Sequence, residues 1–171
     1  MSPMLNPDYY YHSVLDIDLA ELKRRGIDTL LVDLDNTLLP RDTNVVPAEV
    51  KAWAAGLSDA GFSACLVSNN WHDRVVRVAQ ELGFDLVPKA VKPLPFAFRK
   101  ALKRAGSTAK RAAIVGDQLF TDVLGGKLTG ITTVLIAPMS SADLPHTLFL
   151  RRIERVLLAG RQPLPQARAD T

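Results

Sequence analysis

Short apolar runs closed by turn residues punctuate the chain at 29–34, 62–67, 84–87, 112–115 and 131–136, and each predicts a strand. None alternates cleanly between apolar and polar positions. Leu30-Leu31-Val32 and Ala113-Ile114-Val115 are apolar on both faces, the pattern of parallel strands covered by helices on two sides. Helical patterning fills the intervals at 47–59, 73–82, 93–105 and 119–127, with Pro47 and Pro93 in positions to open a first turn. Gly61, Gly83 and Gly106 follow three of these segments as C-terminal caps. Strand and helix therefore alternate, which predicts right-handed crossovers and a doubly wound, mostly parallel α/β fold.

Outside that core lie a short helix at 15–25, an amphipathic helix at 148–158 and a polar tail. The expected organisation is an N-terminal extension over 1–26, a core over 27–159 that includes the C-terminal helix, and a loose tail over 160–171. Tyr9-Tyr10-Tyr11 reads as packing.

Length and composition leave little else open. A chain of 171 residues, 47% hydrophobic and 23% charged, buries one ordinary core and is neither disordered nor fibrous. The lone cysteine, Cys65, lies in an apolar run and reads as a reduced, buried thiol, so the expected compartment is the cytoplasm. No apolar stretch is long enough to span a bilayer, and the first residues lack a secretory pattern, so a soluble, unprocessed chain is expected. The net charge of +3 is small. Its distribution is not: between Leu86 and Gly116 there are eight cations and no acid. A solvated helix face is the ordinary reading of such a segment. A lipid surface with peripheral membrane association is the alternative, and nucleic acid is less favoured.

In open α/β sheets ligands bind beyond the carboxyl ends of the strands. Here those ends are polar: Asp33, Asp35 and Thr37 after the first run, Ser68-Asn69-Asn70 after the second, Lys89 and Lys92 after the third, and Gly116-Asp117 with Asp122 after the fourth. Clustered carboxylates repel unless a cation sits among them, and oxygen ligands without His or Cys suit Mg²⁺ alongside a phosphate oxygen. Ser68, with Asn69 beside it, and Lys92 are candidates to bind a phosphoryl group, with Lys89 as rival to Lys92. Asp33 is the candidate nucleophile, and Asp35 the group that protonates the leaving oxygen and then activates water. Thr37 is expected to hold the turn by hydrogen-bonding its backbone, and Gly116 to support the site.

These residues, in this order and at this spacing, resemble the haloacid dehalogenase-like (HAD) phosphohydrolases over about residues 27–138. Asp-Leu-Asp-Asn-Thr at 33–37 matches the first motif, Ser68 the second, Lys92 the third, and Gly116-Asp117 with Asp122 the fourth. The wording of the motifs looks like the YqeG branch of the capless subclass IIIA phosphatases, to which a phosphatidylglycerophosphate phosphatase branch is related. The resemblance implies an aspartyl-phosphate on Asp33, acid/base action by Asp35, Ser68 and Lys92 on the phosphoryl group, and Mg²⁺ held by Asp33, Asp35 through its carbonyl, and Asp117. Asp122 is left between a water-mediated metal ligand and an orienting group. The short gaps between motifs leave no room for a cap domain, so the expected substrate is exposed or bulky: a phosphate on a lipid headgroup or a macromolecule. An assembly factor that binds RNA or the ribosome through a vestigial phosphate pocket is the competing reading.

Overall fold

The computed structural model describes residues 3–139, 153–154 and 156–165. Its one sheet holds six strands, all parallel: β1 (Tyr9–Tyr11), β2 (Thr29–Val32), β3 (Ser63–Val67), β4 (Asp85–Val87), β5 (Ala112–Gly116) and β6 (Thr132–Ile136). Their order is β1-β6-β5-β2-β3-β4, so the first long apolar run lies in the middle of the sheet. Register is set there: Val32 faces Leu66 on one side and Val115 on the other. Every residue of β2 and β5 is buried, as expected for strands covered on both faces.

The crossovers are α2 (Ala48–Asp59), α3 (Asp73–Leu82) and α4 (Pro95–Arg104), with α1 (Leu19–Arg24) ahead of β2 and α5 (Leu124–Thr129) ahead of β6. Leu57, Val75 and Val78 pack with Leu30, Val32 and Leu66 on one face, while Ala97, Phe98 and Ala101 pack with Leu31, Cys65 and Ile114 on the other. Burial pushes the Cys65 thiol up to about 12, so it is a core hydrophobe rather than a nucleophile. At Gly125 an added Cβ would lie 2.3 Å from the Phe98 ring, so α5 approaches α4 closely only because that position has no side chain.

Several details differ from the sequence expectation. The three tyrosines form an edge strand rather than only packing: β1 pairs in parallel with β6, and Asp8 ties its start to Thr133. α4 begins at Pro95, two residues later than Pro93, because Pro93 lies in a turn closed by Leu94 N–H on the Val91 carbonyl at 3.1 Å. Residues 119–123 form a π-helical turn before α5. The expected loose tail begins with a docked stretch, where Leu164 N–H donates to the Tyr10 carbonyl at 2.6 Å. Most of the C-terminal helix expected over 148–158 lies outside the described residues, as does the tail from 166 onward. Among the described residues no helix is long and apolar enough to cross a membrane.

Candidate active site

Strand β2 stops at Val32, and the chain then folds back on itself. Asp33 N–H donates to the Val115 carbonyl at 2.8 Å, holding the first acid level with β5. Asn36 follows in the left-handed region, φ 61°, which Asn tolerates better than most residues. The turn closes through Leu38 N–H on Leu34 O at 3.0 Å and Asn36 N–H on Leu39 O at 2.8 Å. Thr37 does not hold this turn through its side chain as expected. Its buried Oγ1 has no hydrogen-bond partner among the described residues, and backbone bonds do that work.

The second motif is built the same way. Ser68 N–H donates to Val87 O at 3.1 Å, Ser68 Oγ accepts from Asn70 N–H at 3.1 Å, and Ala90 N–H returns to Ser68 O at 3.0 Å. The loops after β3 and β4 are thereby joined. Asn69 spans the same junction: its Oδ1 accepts from Lys92 N–H at 2.7 Å and its Nδ2 donates to Lys92 O at 3.4 Å. Its side chain therefore holds the lysine's peptide, a different task from the phosphate contact expected of it. Val91, just before, sits at φ 53°, a conformation that costs a β-branched residue roughly 1–2 kcal/mol.

Lys92, Asp33, Asp117 and Asp122 are all buried and come together. Lys92 Nζ lies 2.7 Å from Asp33 Oδ1 and 2.6 Å from Asp122 Oδ1. Asp33, Asp117 and Asp122 each offer a carboxylate oxygen, all within 4.8 Å of one another. Asp122 also has other partners: one oxygen accepts from Lys92 and the other accepts from Gln118 N–H at 3.2 Å. Gly116 makes room for it, since a Cβ there would stand 2.2 Å from Asp122 Cγ.

The two acids of the first motif have separate surroundings. Asp33 belongs to the carboxylate cluster, whereas the Asp35 side chain points to Asn70 and Arg74. Arg74, in the first turn of α3, also donates through Nε to Thr43 O and through Nη2 to Pro40 O, each at 2.9 Å. One guanidinium thus fixes the second acid and the loop over 38–46. The sequence reading missed Arg74; its position six residues after Ser68, at a helix start, was the available signal. Lys89, the rival to Lys92, lies outside the cluster with its Nζ 4.7 Å from the Trp71 ring centre.

Burial shifts Asp33 toward its neutral form and raises its pKa; Lys92 opposes the rise, and the carboxylates of Asp122 and Asp35 add to it. Burial also works against the charge on Lys92, but Asp122 and Asp33 outweigh it and hold the ammonium protonated. Among the described residues, Asp33, Asp117 and Asp122 together offer an all-oxygen donor set, which suits a hard divalent cation.

A HAD-hydrolase-like family model matches residues 90–141, which contain Lys92, Asp117 and Asp122. The chain is 34% identical over 154 residues to the probable phosphatase YqeG of Bacillus subtilis, covering 90% of each chain. It is 29% identical over 152 residues to phosphatidylglycerophosphate phosphatase 1 of Arabidopsis thaliana, a match that spans 84% of this chain and 43% of that relative's length. Among solved structures, the cobalt-bound deoxy-D-mannose-octulosonate 8-phosphate phosphatase of Haemophilus influenzae superposes with a TM-score of 0.55 at 19% identity, over 80% of this chain and 90% of that one. That likeness shows the fold; the relatives in sequence carry the rest. The chain belongs to the haloacid dehalogenase-like phosphatase family.

Proposed function

We propose that this enzyme is a Mg²⁺-dependent phosphomonoester hydrolase working through an aspartyl-phosphate on Asp33. The observation that carries this reading is the buried group at the carboxyl ends of β2 and β5: Asp33 and Lys92 at 2.7 Å, with Asp117 within reach of the same point. Asp33, Asp117 and the Asp35 carbonyl would hold the ion, which when bound neutralises charge on the phosphoryl oxygens. Asp33 attacks phosphorus and the ester P–O bond breaks. The leaving oxygen takes a proton from Asp35, and the same carboxylate then removes one from the water that hydrolyses the acyl-phosphate, releasing inorganic phosphate and restoring Asp33. Asp35 must be protonated and leave Arg74 for the first of these transfers. Lys92 and the Ser68 hydroxyl bind the phosphoryl oxygens, Asn69 positions the lysine peptide, and Asp122 positions its ammonium.

Each crossover between β2 and β5 carries a single α-helix of no more than 12 residues, so no cap domain is inserted there. That supports a phosphate carried on something larger than a free metabolite. The likeness to a phosphatidylglycerophosphate phosphatase supports a lipid headgroup as that carrier, and phosphatidylglycerophosphate itself as the substrate. The test is phosphate release with Mg²⁺ from an aryl phosphate and from lipid, nucleotide, sugar and phosphoprotein substrates. Asp33→Asn should abolish turnover of all of them while the protein stays folded. Full activity in that variant overturns the assignment, and no preference for vesicle-borne substrate overturns the lipid reading.

A further inference from the structure

The turn that aims Lys92 inward displays apolar side chains outward. Lys92 is 6% exposed, while Val91 is 54%, Leu94 49% and Phe96 52% exposed. Across the same junction Trp71, three residues after Ser68, is 60% exposed, with the Lys89 ammonium over its ring. Lys89 N–H on the Asn70 carbonyl, at 3.2 Å, holds the two loops side by side. Among the described residues none of these side chains belongs to a hydrophobic core cluster, and Val91 is held in an unfavourable backbone region.

We propose that this rim inserts into the surface of an anionic phospholipid bilayer, so that the site opens directly onto lipid-borne phosphate. The proposal rests on the lipid reading above and adds the surface that serves it. Charge complementarity selects the bilayer. Phe96, Lys100 and Lys103 fall at i, i+4 and i+7 on the exposed face of α4, with Arg99 beside them, so an apolar tip leads into a basic stripe. Lys100 lies about 6 Å along the helix axis from Phe96, inside the screening length of about 8 Å at physiological salt, and so still feels a charged surface that Phe96 touches. Among the described residues none of Lys89, Arg99, Lys100 and Lys103 is in an ion pair. A tryptophan with a lysine over its face is suited to headgroup depth, where the ring meets acyl chains and the ammonium meets phosphate.

Flotation of the full chain with vesicles of phosphatidylcholine alone, or with 30 mol% phosphatidylglycerol (roughly a PS-rich surface charge), tests this without any turnover. Binding only to the anionic vesicles is expected. The double variant Trp71→Ser/Phe96→Ser and the double variant Lys89→Glu/Lys100→Glu should each weaken it about tenfold or more, since one cation near such a surface already changes binding several-fold. Both should hydrolyse a soluble aryl phosphate as the parent does, which also shows that they fold. Anionic-vesicle binding unchanged in both variants, equal binding to neutral vesicles, or salt-sensitive RNA binding with none to vesicles overturns the proposal. Aryl phosphate turnover without vesicle binding refutes the docking surface and leaves the hydrolase standing. Vesicle binding without turnover of any phosphate refutes the hydrolase and leaves the docking surface standing.

Discussion

Asp122 meets the Lys92 ammonium at 2.6 Å, with each side chain only 2% exposed. A buried charge pair of this kind contributes little net stability, yet loss of one partner leaves the other stranded. Here Lys92 retains Asp33 as a second partner at 2.7 Å, so its charge survives loss of Asp122 but its aim does not. Asp122→Asn should reduce kcat by about a hundredfold, the scale of one misplaced electrostatic group in an active site. Steady-state kinetics on an aryl phosphate, with circular dichroism as the fold control, checks it. Unchanged kcat would separate Asp122 from the lysine's function.

Gly116→Ala is the smallest change that should disturb the same pair. Its Cβ would fall 2.2 Å from Asp122 Cγ, and the close neighbours are the carboxyl group and Cβ of a buried side chain rather than a flexible tip. We expect about 1–3 kcal/mol of destabilisation in urea unfolding, the usual cost of overpacking, together with loss of turnover. A variant as stable and active as the parent would mean that Asp122 has room to move aside.

Arg74 joins α3 to Asp35 and to the carbonyls of Pro40 and Thr43. Lysine cannot reproduce a planar donor set that serves three acceptors. Arg74→Lys should therefore lower kcat through Asp35 and speed proteolytic cleavage in the loop over 38–46. Both effects should appear in one preparation. Cleavage at the parental rate would show that the loop is held by its own buried Leu38, Leu39 and Val46.

Asp8 gives a pH dependence remote from the active site. Burial works to raise its pKa, but hydrogen bonds from Lys127 and Thr133 outweigh burial and hold it below the ordinary carboxylate value. A carboxyl group lowered on folding stabilises the protein fully above its unfolded pKa of about 3.9, and the contribution is lost as pH falls through the folded value. Asp8→Ala should cost about 1–2 kcal/mol at pH 7, the scale of the hydrogen bonds removed. The gap between variant and parent should narrow below pH 4 in urea titrations, and a gap that widens there would refute the assignment.

Much of this architecture was legible along the chain because its strands are buried on both faces and its helices end at glycines. The parallel α/β layering followed from the alternation of elements, and the polar strand ends named Asp33, Lys92 and Asp117, which the fold brings together; the order of strands around β2 was not legible. β1 was not legible, because three tyrosines carry no period and their pairing partner is 125 residues away. Nor was the work of Arg74 and Asn69, since each makes its contacts across loops that only the folded sheet brings together. Asp122 was visible as a residue, but its bond to Lys92 spans 30 residues and depends on a gap that Gly116 leaves.

The double pairing puts Val32, Leu66 and Val115 on a single rung, immediately before Asp33. A slip of one residue against either neighbour would move that rung by about 3.3 Å and turn alternate side chains to the opposite layer. Helix content and compactness would scarcely register such an error, whereas phosphate release would cease. Turnover is thus a gauge of strand alignment, and its recovery during refolding would time the moment at which the centre of the sheet locks into place.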